Sequence, residues 1–147
     1  MTLTVRELSF SYKDRVVLHD LGLQVMPGSL VCLVGPNGSG KSTLLRCLDR
    51  ILWPSRGDIL VGGASIKSLR PRELARRICY MPQNHPLNFP LTVVEVVTMG
   101  RRPHLHFRPS DSDRQAVLWA LSMLGLSGLA RRYFDELSGG GGDKKRF

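Results

Sequence analysis

The run GPNGSGKST, Gly35 to Thr43, carries the residues of this chain best suited to chemistry. It follows the pattern G-x-x-x-x-G-K-[S/T], which needs a strand before it and a helix after it. Gly35, Gly38 and Gly40 allow positive φ and a close approach of backbone to ligand. The backbone N–H groups of the run, with Asn37, Ser39 and Thr43 among their residues, then converge on an anion at a helix N-terminus, where the dipole also favours negative charge. Lys41 is a point charge able to reach β- and γ-phosphates, and the Ser42 hydroxyl can serve Mg²⁺. The chemistry expected of this run is the binding of a nucleoside triphosphate.

The elements that must hold the loop can be read from the flanks. SLVCLVG, directly upstream, is a continuous apolar run between glycines, and it predicts a strand covered on both faces, as in a central parallel sheet. A helix is expected from near Lys41 to Pro54. Residues 3–10 alternate apolar and polar as a half-buried strand does. Val16–Leu18 and the run 21–25 follow as further strands, and Pro27-Gly28 marks a turn. A strand at 57–63 ends in a Gly-Gly turn, and Pro71 opens a short basic helix. CYMPQ, 79–83, reads as another strand before a Pro-rich loop. Two helices come next: one with Thr92 as N-cap, Glu95 three residues on and Gly100 as its stop, the other over 110–125 with Val117, Leu121 and Leu124 on one stripe.

Composition narrows the class. A chain of 147 residues with 42% hydrophobic and 22% charged residues can bury a real core. No apolar run approaches the roughly 18–20 residues of a membrane span. The N-terminal stretch lacks a signal peptide's apolar core, so a cytosolic protein is expected. Cys32, Cys47 and Cys79 have neither metal-ligand spacing nor a disulfide pattern and read as reduced thiols. Net charge is +9, but the basic residues are spread along the chain and not interleaved with aromatics. They read as a solvated basic surface, with no nucleic acid as partner. His104 and His106 form an H-x-H pair in a Pro/Arg loop without a nearby carboxylate or Cys, and read as loop histidines ahead of metal ligands.

With these motifs in place the chain resembles the front part of an ATP-binding-cassette (ABC) transporter ATPase subunit. The resemblance implies an α/β fold: a P-loop NTPase core with N-terminal antiparallel β strands and a helical subdomain. The nucleotide-binding core would span 1–91, the helical subdomain 92–133, and a partial signature motif with a divergent tail 134–147. Tyr12, in LSFSY, falls where the family stacks an aromatic on adenine; alone it is an ordinary strand aromatic. Gln83, after CYMP, matches the family's glutamine loop, whose amide oxygen reaches Mg²⁺ and water. Ser138, Gly139 and Gly140 begin the signature LSGG, which contacts the ATP of the other subunit in the family's dimer.

The stretch LTVVEVVTMGRRPHLHF resembles importer ATPases for iron–siderophore, haem or cobalamin in particular. What that resemblance implies is ATP and Mg²⁺ as cofactors and transmembrane permease subunits as partners. It also implies a homodimer, an indirect link to a periplasmic or extracellular substrate-binding protein, and a place on the inner face of the plasma membrane. After LSGG the sequence departs from the family: Gly141 and Gly142 precede DKKRF. The family's apolar strand ending in Asp, the adjoining Glu and the later His have no counterpart here. The expectation is a chain truncated after the signature, binding ATP with negligible hydrolysis. The alternative is a non-catalytic nucleotide-binding or regulatory module that docks on a membrane partner.

Overall fold

A computed structural model describes residues 1–82, 90–105 and 108–137. The chain divides into two compact units, Met1–Met81 and Pro82–Phe147. The first is built on a four-stranded antiparallel sheet in the order β2-β1-β3-β4. Its strands are β1 (Leu3–Tyr12), β2 (Arg15–Val25), β3 (Arg56–Val61) and β4 (Ala64–Ser65).

Alternation in β1 changes phase once. Val5 is buried, but the next buried residues are Leu8 and Phe10, because Glu7 takes φ 47° and the register slips between Val5 and Leu8. The extra residue turns the charged Arg6–Glu7 pair to solvent and returns the apolar side chains to the core face, as a bulge does. The expected strands at 16–18 and 21–25 are one strand, β2, with Asp20 at φ 47° between its two halves. The Asp20 N–H donates to Ser9 Oγ at 3.0 Å. Gly62 and Gly63, both at positive φ, join β3 to β4 as a two-residue turn of the primed kind.

Helix α1 (Lys41–Leu48) lies on this sheet and buries Leu44 and Cys47 against Leu8, Phe10, Leu18 and Ile59. It stops six residues before Pro54. Arg50 adopts φ 57°, its N–H bonds the Cys47 carbonyl, and the Ile51 N–H bonds the Arg46 carbonyl. That is a Schellman ending made without glycine, so the sequence gives no sign of it. The Arg50 guanidinium donates to the carbonyls of Ile66 and Leu69 at 2.8 and 2.7 Å and stands over the Trp53 ring. These bonds tie the helix exit to the turn before α2 (Pro71–Ala75).

Two expected strands are absent. Residues 29–36 and 79–82 carry no strand assignment, and Leu30 and Val34 are 99% and 91% exposed. An apolar run becomes a covered strand only when neighbouring strands take its N–H and C=O groups. Among the described residues none pairs with either segment.

The second unit packs α3 (Val93–Met99) against α4 (Asp111–Met123) around Val93, Val117 and Leu121. Both helices open with the expected kind of cap. Glu95 accepts from the N–H and hydroxyl of Thr92, which holds its carboxyl below the usual range. Asp113 accepts from the N–H and hydroxyl of Ser110 and from Arg101 at 2.8 Å, and its carboxyl is held well below the ordinary value by the Ser110 hydroxyl first and Arg101 second. Leu124, expected on the buried stripe, is the C-terminal cap of α4 and 67% exposed. A short 3-10 turn (Ser127–Leu129) and α5 (Phe134–Leu137) complete the described chain.

Candidate phosphate-binding loop

The site is assembled from the N-terminus of α1 outward. Pro36 to Ser39 close a turn, with the Ser39 N–H on the Pro36 carbonyl. Gly40 is the N-cap at φ 91°, and the first helical bond runs from the Leu44 N–H to its carbonyl at 2.8 Å. A Cβ on Gly40 would stand 2.9 Å from Leu18 Cδ2 and 3.1 Å from the Val17 carbonyl oxygen, so the loop rests directly on β2. The expected positive φ holds at Gly38 and Gly40; Gly35 lies outside that region, and a Cβ there would instead meet Ser39 Oγ at 3.0 Å. The first N–H groups of α1 have no acceptor within the helix and face the loop end, where an anion satisfies them.

Lys41 lies across this loop. Its Nζ donates to the carbonyls of Gly35 at 2.8 Å and Pro36 at 2.7 Å, with Ser39 Oγ at 3.4 Å. The two short bonds hold the ammonium beside the loop, and the long third contact is the one a phosphate oxygen can replace most cheaply. Ser42 is exposed, whereas the Thr43 side chain is 8% exposed, so Thr43 can offer a ligand its N–H and not its hydroxyl. Asn37 is exposed at the tip. The loop also borders a cavity of about 300 Å³ lined by Leu18, Leu21, Leu33 and Leu44.

Tyr12 ends β1 within the same unit, 44% exposed, with its ring edge-to-face on the buried Phe10 at 4.8 Å between centroids. Gln83, His106 and the signature residues Ser138, Gly139 and Gly140 lie outside the described residues. His104 is exposed. Among the described residues no group of three or more His, Cys, Asp or Glu could hold a metal. The donor set near the loop is a single neutral hydroxyl, Ser42. That fits Mg²⁺ carried in by phosphate oxygens and does not fit a cation caged by protein alone. No helix of the described residues is long and apolar enough to cross a membrane.

One residue near the site was not legible in the sequence. Arg46, in the last turn of α1, hydrogen-bonds the hydroxyls of Tyr80 and Tyr12, which raise its pKa, Tyr80 the more strongly. A basic residue late in a helix suits the dipole, and that signal says nothing of two tyrosines from distant segments.

A profile of the family described as ABC transporter matches residues 18–146. An uncharacterized ABC transporter ATP-binding protein of Methanocaldococcus jannaschii is 42% identical over 140 residues, covering 95% of this chain and 55% of that protein. The iron(3+)-hydroxamate import ATP-binding protein of Bacillus subtilis is 36% identical, covering 95% and 52%. The hemin import ATP-binding protein of Bordetella bronchiseptica is 41% identical over 147 residues, covering 100% and 56%. A solved ATP-binding subunit of an ABC transporter superposes with a TM-score of 0.75 at 27% identity, over 90% of this chain and 54% of that one. The chain thus spans about half the length of the relatives it matches. By the matched profile and the shared fold, the chain belongs to the ABC transporter family.

Proposed function

We propose that this chain binds MgATP at the loop Gly35–Thr43 and serves as the ATP-binding part of an importer for an iron complex, haem or cobalamin. The observation that supports it most is the loop itself: glycine at positive φ against β2, unpaired N–H groups at the start of α1, and Lys41 across the opening. Lys41 would meet the β- and γ-phosphates while the first-turn N–H groups take their oxygens. Ser42 would supply one oxygen to Mg²⁺, and Gln83 another. Tyr12 would stack on the base, and Ser138, Gly139 and Gly140 would reach the nucleotide of a second subunit. The relatives named for iron(3+)-hydroxamate and hemin import support the cargo class. Permease subunits at the membrane's inner face would dock on 92–133, and a substrate-binding protein would act through them.

The test is a thermal melt with and without MgATP, beside Lys41→Ala. A ligand that binds only the folded state stabilises it by about 2.7 kcal/mol at 100 times its Kd. At roughly 2–4 °C per kcal/mol for a chain of this size, the melting temperature rises by about 5–11 °C. The wild type shifts and Lys41→Ala does not. Equal shifts in both chains, or none in either, refute the assignment.

A further inference from the structure

Tyr12 reaches the site from β1, but its ring is fixed by little in its own unit: one edge-to-face contact with Phe10 and otherwise solvent. Its hydroxyl is held from another direction. The Arg46 guanidinium, projecting from the last turn of α1, donates to the hydroxyl of Tyr12 and to that of Tyr80. Tyr80 is seated independently, half-buried in a cavity shared with Leu45 and Leu48 of the same helix. Arg46 therefore fixes Tyr12 from a point that is itself braced. Lys41 and Arg46 stand at the two ends of one helix, five residues and about 7.5 Å apart along its axis.

We propose that Arg46 is a positioning residue for base recognition, holding the Tyr12 ring through its hydroxyl while Tyr80 braces the guanidinium. The proposal rests on the nucleotide reading of the loop. Helix α1 then serves both ends of the ligand: its first turn takes the phosphates, and its last turn sets the aromatic that takes the base. A free Tyr12 ring would have to be ordered by the base on binding, and that ordering lowers affinity. Arg46 itself touches neither phosphate nor base. Its guanidinium is a planar fork able to serve two hydroxyls at once, which the single ammonium of Lys does less well.

The experiment compares MgATP with magnesium tripolyphosphate, which has the phosphates and no base, by calorimetry on the full chain. Wild type, Arg46→Ala, Tyr80→Phe, Tyr12→Ala and the double variant Arg46→Ala/Tyr12→Ala are measured together. Stacking of one base on an aromatic is worth roughly 5- to 150-fold in affinity, so Tyr12→Ala loses that factor for ATP and nothing for tripolyphosphate. Arg46→Ala loses part of it, about three- to tenfold on that scale, again with tripolyphosphate unchanged. Tyr80→Phe loses less in the same direction, and the double variant binds ATP no more weakly than Tyr12→Ala alone.

Equal weakening of both ligands by Arg46→Ala would make Arg46 a phosphate contact and overturn the proposal, as would independent losses in the double variant. Wild type binding tripolyphosphate but gaining nothing from the base overturns it too, with the phosphate loop intact. Wild type binding neither ligand overturns the nucleotide reading as well. A ligand-free readout guards against simple loss of fold. In chains labelled with 3-fluorotyrosine, Tyr12→Ala moves the Tyr80 resonance when Arg46 is present and leaves it in place in Arg46→Ala. No movement in either background is a second refutation.

Discussion

Replacing Gly40 with alanine tests whether the loop is built against β2 or merely borders it. A side chain at φ 91° is strained by about 1–2 kcal/mol through its own backbone. The new Cβ also meets Leu18 Cδ2 at 2.9 Å, the Val17 carbonyl at 3.1 Å and Val17 Cγ1 at 3.2 Å. Leu18 is buried and the Val17 carbonyl is strand backbone, so neither can simply swing aside. Overpacking of this kind costs about 1–3 kcal/mol more. Gly38 supplies the control, since it sits at φ 81° in the same loop with nothing within 4 Å of its would-be Cβ. Gly38→Ala is expected to lose about 1–2 kcal/mol from strain alone, and Gly40→Ala about 2–5 kcal/mol. Denaturant melts of the two chains separate these values, and calorimetry with MgATP reads the loop. Because Gly40 also accepts the first helical bond of α1, its variant is expected to weaken binding more than tenfold. If both variants melt at the same denaturant concentration, β2 does not support the loop and the packing argument is wrong.

Two further outcomes concern the second unit. Asp113 has a folded-state pKa depressed below the ordinary value of about 3.9, so its contribution to stability is present above that pH and is lost as pH falls through the lower, folded value. Wild type should therefore exceed Asp113→Asn in melting temperature at neutral pH, with the gap closing below about pH 4; a gap independent of pH would remove the charge from the explanation. Leu121 is 1% exposed, and Leu121→Ala should cost about 2–5 kcal/mol by denaturant unfolding. Leu124→Ala, at a position 67% exposed, should stay within about 0.5 kcal/mol, and equal losses at both would restore Leu124 to the core.

What could be read in the sequence is what is decided locally. The phosphate loop declares itself because each residue type in it answers a local demand. The helix start at Lys41, the Gly62-Gly63 turn and the Thr92–Glu95 cap are likewise settled within a few residues. Hidden features depend on partners far along the chain. The α1 ending uses Arg50 where glycine is usual, because Arg50 also reaches the carbonyls of Ile66 and Leu69. Asp113 reads as a surface residue in SDSD, yet it is buried by its bonds to Ser110 and to Arg101, twelve residues earlier. Leu124 has the right spacing for the stripe but falls where the helix has already ended.

The run at 29–34 shows the same division at the site itself. Its composition is that of a buried strand, but composition only says which surroundings a segment suits; pairing requires neighbours, and no described residue provides them. The phosphate loop that follows is nevertheless formed, and its contacts show why. Lys41 bonds Gly35 and Pro36 within the loop, Gly40 abuts Val17 and Leu18, and Leu44 and Cys47 anchor α1 in the core. None of these contacts calls on residues 29–34 to be paired. The anion site is thus held from its C-terminal side, by the helix and the hairpin, and its geometry can persist while the segment entering it remains without a sheet. Melting and ligand binding should accordingly follow substitutions at Gly40 and Leu44 far more than polar substitutions at the exposed Leu30 and Val34.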